Sequence, residues 1–287
     1  MHPAPCLKQF TATDGYRFAV RVWDTPMPPG RIVLLHGIVS HGGWYLRSCR
    51  HLAASGFEVH ALDRRGSGLN LAARGDVPDY RCWLSDVREY LAGMPPGVPT
   101  VLAGISWGGK LAAALGGGGL PDLAGVAMIC PGLFAKQQAG RLQRLLLHLA
   151  GTAGLAEARV TIPLRDPALF TNSPQWQAYI RDDPLTLRRI TIRFAQADLR
   201  LNADAREAAE QIRAPVLLML AGRERIVDNR RTREYLDRIA AEDKLCLEYA
   251  DAGHTLEFEP DPAAYLEDLR AWVARVTRIV ERNSFRL

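Results

Sequence analysis

The chain has 287 residues, of which 48% are apolar and 23% charged, with 36 Lys and Arg against 31 Asp and Glu for a formal charge of +5. That length and apolar content suffice to bury one large core, which excludes a disordered chain, and the charge imbalance is too mild to imply a nucleic-acid partner. The densest basic run, Arg230, Arg231 and Arg233, sits beside Glu234 and Asp237 on an expected helix and reads as a solvated face. The functional alternative for that run is a transient contact with an anionic membrane surface.

Five cysteines, Cys6, Cys49, Cys82, Cys130 and Cys246, are odd in number and widely spaced, with no CxxC pair. They read as free thiols of a reducing compartment, and no zinc-ligand spacing of Cys and His accompanies them, so no metal or organic cofactor is expected. Met1 to Phe10 has no apolar stretch of signal length, and no run approaches the roughly 20 apolar residues that span a bilayer. The expected location is the cytoplasm.

In chain order, Phe10 to Trp23 alternates around the Asp14-Gly15 turn signal and predicts an antiparallel hairpin, closed by the Pro-rich stretch from Pro26 to Gly30. Five short, nearly unbroken apolar runs follow: Ile32 to Leu35, Val59 to Leu62, Val101 to Ala103, Val126 to Ile129 and Val216 to Leu220. Such runs suit strands buried on both faces, as in a parallel sheet covered by helices. Helix-length segments lie between and after them: Trp44 to Ser55, Asp79 to Leu91, Ser106 to Leu115, Asn229 to Ala241 and Pro262 to Glu281. Alternating strand and helix predicts an α/β fold with a mostly parallel central sheet flanked by helices.

One interval interrupts the alternation. About eighty residues from Leu133 to Arg213 carry no buried-strand pattern but hold amphipathic pieces, including Leu142, Leu145, Leu146 and Leu149 at helical spacing. This predicts a helical cap, residues 133–213, inserted in a core made of residues 1–132 and 214–287. Its apolar face packs on the core or lines an acyl-chain tunnel, and the two are compatible. Gly116 to Gly119 reads as a helix exit and not a phosphate loop, because no Lys-Ser/Thr pair follows.

The chemistry concentrates at the strand ends. Gly104-Ile105-Ser106-Trp107-Gly108 fits G-x-S-x-G, a pattern that arises by chance about once in ten chains of this length, so its context must carry it. It follows an apolar run and precedes a helix, the setting in which a serine oxygen stands exposed at a helix N-terminus. A serine hydroxyl needs a base and a group to orient that base. Of seven histidines, His254 is the candidate: it follows the expected last strand, Leu245 to Tyr249, and comes after the serine in chain order. The acid should follow the Val216 to Leu220 strand, where Glu224 is favoured by its nearness to the sheet edge and Asp228 is the alternative, more simply explained as a helix cap. The oxyanion donors would be the N–H of Trp107 and that of Ile38 in His36-Gly37-Ile38. His36 reads as structural, holding that loop in shape, and Trp44 as a pocket wall or as core.

These stretches together resemble the α/β-hydrolase-fold serine hydrolases of the serine aminopeptidase S33 type, which include monoacylglycerol lipases and lysophospholipases. The resemblance rests on LLHGIVSHGGWY at 34–45, LDRRGSG at 62–68, GISWGG at 104–109, GRERIVDN at 222–229 and DAGHTLEFEPD at 251–261. It departs at Glu224, where the family usually has aspartate. The resemblance implies hydrolysis of a monoacyl lipid or small acyl ester through an acyl-enzyme, without cofactor. An acyltransferase or thioesterase on the same residues, or an inactive binding protein, are the alternatives; the oligomeric state is not readable.

Overall fold

The computed structural model describes residues 4–118, 120, 123–136, 150 and 154–284, the last six in their backbone alone. The described residues form ten strands and seven α-helices of known extent. The hairpin predicted around Asp14-Gly15 is β1 (Cys6–Thr11) and β2 (Arg17–Trp23), paired antiparallel. Gly15 takes φ +82° at its turn, and the Asp14 carboxylate accepts from Tyr16 N.

The five apolar runs become β3 (Arg31–Leu35), β4 (Glu58–Leu62), β5 (Thr100–Ile105), β6 (Leu123–Ile129) and β9 (Val216–Ala221), and β10 (Lys244–Tyr249) completes the set. Eight strands form one sheet in the order β1-β2-β4-β3-β5-β6-β9-β10, parallel from β4 to β10. Ile32, Val101, Val126 and all of β9 are fully buried, as strands covered on both faces must be. Helices α1 (Leu46–Ala54) and α7 (Ala263–Ser284) cover one face, with α2 (Tyr80–Ala92) and α3 (Trp107–Gly117) on the other. Gly125 makes a notch for Trp272 of α7, since a Cβ there would stand 2.5 Å from the indole.

Helix starts sit where capping chemistry puts them. Asp79 caps α2 through Arg81 N, and the expected helix at Trp44 begins instead as a 3-10 turn, Gly42–Tyr45, capped by His41, with α1 following at Leu46. Helix α6 (Asn229–Arg238) carries the basic run. Arg230 pairs with Glu234, Arg233 with Glu248, and Arg231 lies over the Phe134 ring, so these cations are already engaged on the protein itself.

The segment between β6 and β9 holds α4 (Pro174–Asp182) and α5 (Ile192–Glu207), but it is not purely helical. A two-stranded antiparallel ladder, β7 (Arg159–Thr161) with β8 (Arg189–Thr191), stands in it. Three-residue strands are too short to leave a periodic trace in the sequence, which is why only helix was expected there. Leu142, Leu145, Leu146, Leu149 and Gly119 lie outside the described residues. Among the described residues no helix is long and apolar enough to cross a membrane.

Candidate active site

Ser106 occupies the turn from β5 into α3 with φ 52° and ψ −116°, a conformation that L side chains rarely adopt. Backbone bonds on both sides hold it there: Ser106 N donates to Ile129 O at 2.9 Å, and Ser106 O accepts from Gly132 N at 2.7 Å and Gly109 N at 2.9 Å. The flanking glycines are steric necessities. A Cβ on Gly104 would lie 2.3 Å from Gly108 O, and one on Gly108 would lie 2.1 Å from Leu35 O. The strain is thus stored where a hydroxyl must project from the sheet edge, while most of the turn around it is buried.

His254 is 2% exposed on the loop after β10, with Nε2 2.9 Å from Ser106 Oγ and Nδ1 2.7 Å from Glu224 Oε2. An ionised carboxylate can only accept, so Nδ1 carries the proton and Nε2 offers its lone pair to the serine. Strands β9 and β10 are parallel neighbours in register, Ala221 opposite Tyr249, so the loops leaving them emerge side by side. That brings Glu224 to the histidine. Glu224 Oε1 also accepts from Ile226 N at 2.7 Å and Val227 N at 3.3 Å. Burial alone would raise its pKa, but the attraction of His254, the bond to it and the two backbone donors outweigh burial and hold the carboxyl below its ordinary value. Asp228 is elsewhere engaged: it caps α6 through Arg231 N at 3.1 Å.

Behind this chain of bonds, buried Cys130 brings its Sγ within 4.8 Å of ligand atoms of Glu224 and His254. Burial first, and the Glu224 charge second, push its thiol well up, so it stays protonated and hydrogen-bonds the carboxylate. The other two members of this group are already committed, Glu224 to His254 and His254 to Ser106.

The loop after β3 passes directly against the serine, a Cβ on Gly37 coming 3.4 Å from Ser106 Cβ. His36 shapes it. Its Nε2 accepts from Arg64 N at 2.9 Å, so its Nδ1–H donates to Gly37 O at 2.7 Å, and burial followed by the nearby Arg64 charge keeps the ring neutral. Trp44 is 2% exposed; its indole donates to Asp183 at 2.7 Å and its ring meets Phe170 and Phe258.

Ile38, Ser106 and Trp107 open on a cavity of about 640 Å³ roofed by the segment between β6 and β9. Its walls are mainly apolar, among them Val160, Ile162, Leu164, Ile190 and Leu199. A polar corner is formed by Asp198 of α5, which accepts from Trp107 Nε1 at 2.6 Å and from Lys110 Nζ at 2.9 Å.

The profile of the hydrolase family described as serine aminopeptidase, S33 matches residues 26–261. The chain belongs to this family. It is similar to the monoacylglycerol lipase of Mycolicibacterium smegmatis, 25% identical over 92% of this chain and 95% of that one. It is likewise similar to human monoglyceride lipase, 25% identical over 96% and 92% of the two chains. A solved structure of a soluble variant of Saccharomyces cerevisiae monoglyceride lipase in complex with a substrate analog superimposes with a TM-score of 0.85 at 19% identity, covering 96% of each chain. The α/β-hydrolase fold is thereby established for this S33 member.

Sequence reasoning brought Ser106, His254, Glu224, Ile38 and Trp107 to this place and assigned no role to Asp198, Lys110, Phe170 or Arg64. Arg64 lies within the LDRRGSG stretch, but nothing local marks it. Asp198 sits on an amphipathic helix, where an acid ordinarily faces solvent; only the packing of α5 against α3 turns it inward.

Proposed function

We propose that this S33 hydrolase cleaves the carboxylic ester of a single-chain lipid, of the monoacylglycerol class, through an acyl-enzyme on Ser106. The observation that carries the reading is the continuous bond chain from Ser106 Oγ through His254 to Glu224, opening on a largely apolar cavity. A volume of about 640 Å³ lies within the ~300–1,000 Å³ of small-ligand sites.

In this mechanism Ser106 Oγ attacks the ester carbonyl carbon while His254 Nε2 takes the hydroxyl proton. Glu224 stabilises the resulting imidazolium and fixes which nitrogen faces the serine. The carbonyl oxygen, now negative, is received by the N–H groups of Ile38 and Trp107, donors set in place before the charge develops. Collapse of the tetrahedral species breaks the bond to the alcohol oxygen, which leaves with the proton from His254. Water then attacks the acyl carbon, giving a proton to His254, and the free acid departs as that proton returns to Ser106 Oγ. The names of the similar proteins support this substrate class, and the apolar walls give the acyl chain its place.

The test is hydrolysis of monoacylglycerols of graded chain length by the wild-type protein and Ser106→Ala. Turnover in the variant should drop ~10⁴–10⁶-fold. Retention of a tenth of the wild-type rate would end this reading.

A further inference from the structure

Arg64 follows β4 and is 8% exposed, yet among the described residues no carboxylate pairs with it. The acids around it are committed elsewhere: Asp63 to Arg21, Gly42 N and Leu69 N, Asp86 to Arg65, and Asp198 to Trp107 and Lys110. Burial draws its pKa down to about 9. A guanidinium buried without an acid is costly, so a role other than stability is worth seeking in what it touches.

It touches both residues assigned above to the oxyanion. Its Nη2 donates to Ile38 O at 2.8 Å and to Ser67 Oγ at 2.8 Å. Its guanidinium carbon lies 4.4 Å over the Trp107 ring and 5.4 Å over that of Phe194 from α5. Its backbone N–H donates to His36 Nε2, which obliges His36 Nδ1–H to hold Gly37 O. In a trans peptide the Gly37 carbonyl and the Ile38 N–H share one plane and point opposite ways, so fixing the oxygen aims the N–H. Arg64 therefore grips the Ile38 residue on both sides, through His36 at the preceding carbonyl and directly at its own. Trp107, held on one face by the guanidinium, is held at its indole N–H by Asp198 and packed edgewise by Trp83.

We propose that Arg64 is the positioning residue of the oxyanion hole: its backbone N–H, through His36, fixes the plane of the Gly37–Ile38 peptide, and its side chain holds the Ile38 carbonyl and the Trp107 ring, so that both donors keep one geometry around Ser106. It does not touch substrate. Its planar fork, with donors and a stacking face together, makes this possible, and lysine has only one of those properties at a time. The inference rests on the ester-hydrolase reading above.

The experiment compares the wild type, Ser106→Ala, Arg64→Met and Arg64→Lys on a p-nitrophenyl octanoate assay, with two inhibitors. An octyl trifluoromethyl ketone adds to Ser106 and places an oxyanion in the hole; 1-octanol measures ground-state binding alone. For Arg64→Met, kcat should fall ~10–100-fold, less than the ~100–1,000-fold of losing a donor outright, with KM and octanol affinity within about threefold of wild type. The ketone inhibition constant should rise in proportion to the loss in kcat/KM, because only the transition state and its mimic use the hole. Arg64→Lys should lose less, on the same proportional line, and supplies the measurement if Arg64→Met has no cooperative melt. The proposal is overturned if kcat stays within about threefold of wild type, if ketone affinity is unmoved while kcat falls, or if octanol binding weakens along with it. A wild type that cleaves no ester, or a Ser106→Ala that still does, sinks the hydrolase reading instead and is visible before any Arg64 variant is measured.

Discussion

Glu224 carries one methylene more than the aspartate usual at its place, and the structure shows where the extra length goes. One carboxylate oxygen reaches His254 while the other collects Ile226 N and Val227 N. Glu224→Gln removes the charge and allows the wrong imidazole tautomer, so kcat should fall ~10³–10⁴-fold with little change in KM, read by ester turnover. Glu224→Asp retracts the carboxylate and should cost ~10–100-fold. Asp228→Ala should leave kcat near wild type and lower stability by ~1 kcal/mol, read by denaturant melts, because a helix cap alone is lost. Were the two acids' effects reversed, the assignment of Glu224 would be wrong. Because the Glu224 carboxyl is held below its ordinary range, it stabilises the fold above that range, and this contribution is lost as pH falls through its lowered value. Spacing from the strand end favoured Glu224 and left Asp228 open as the alternative. It could not show that the loop amides would clasp the free oxygen.

The loop bearing His254 is anchored as an element, through a group three residues on. Glu257 is buried at the N-terminus of α1, where its carboxylate accepts from Arg47 N at 2.6 Å and Ser48 N at 3.2 Å, and meets Ser48 Oγ, which also bonds Tyr265. Arg47 reaches back to Glu257 O and Glu259 O, and Glu259 takes Gly253 N. Burial raises the Glu257 carboxyl to about 7, against the Ser48 and backbone bonds that lower it. An acid whose folded value is raised binds its proton better in the folded state, so stability is fully present below about 4.5 and declines as pH rises toward 7. The expected loss is on the order of 1–3 kcal/mol across that window. Thermal midpoints of Glu257→Gln should show a flatter slope there than the wild type; an unchanged slope would refute the linkage. The Glu257 anchor was not legible in DAGHTLEFEPD, since its partners Arg47 and Ser48 lie more than two hundred positions earlier. The elbow turn was legible, because its glycines and its strand and helix are contiguous.

For the molecule as a whole, the segment over the cavity is fastened to the core by a buried clasp. Asp183, just past α4, takes Trp44 Nε1 at 2.7 Å and His41 Nε2 at 3.0 Å and binds its own Thr186 Oγ1 and Leu185 N. His41 Nδ1 accepts from Gly43 N, so Nε2 is the donor. Burial raises the Asp183 carboxyl, but the bonds to His41, Trp44 and Leu185 prevail and hold it well below the usual range. Asp183→Asn should loosen the roof before the core. Amide exchange should quicken across 154–191 while β5 and β9 stay protected, with a stability loss of ~1–3 kcal/mol and activity falling more on long-chain than on short-chain esters. Uniform exchange across roof and core would contradict a separate clasp.

Local sequence determined the sheet strands, the helices covering them and the elbow at Ser106, because each depends on residues within a few positions of one another. Apolar runs must be covered, and a left-handed serine between glycines must turn. Tertiary structure alone decided what faces what: Arg64 beneath two loops, Asp198 turned inward, Asp183 on Trp44, Glu257 under α1. Those partners are separated by tens to hundreds of residues, and a charged side chain in sequence carries no mark of whether its counterpart will be water, an acid or an aromatic ring.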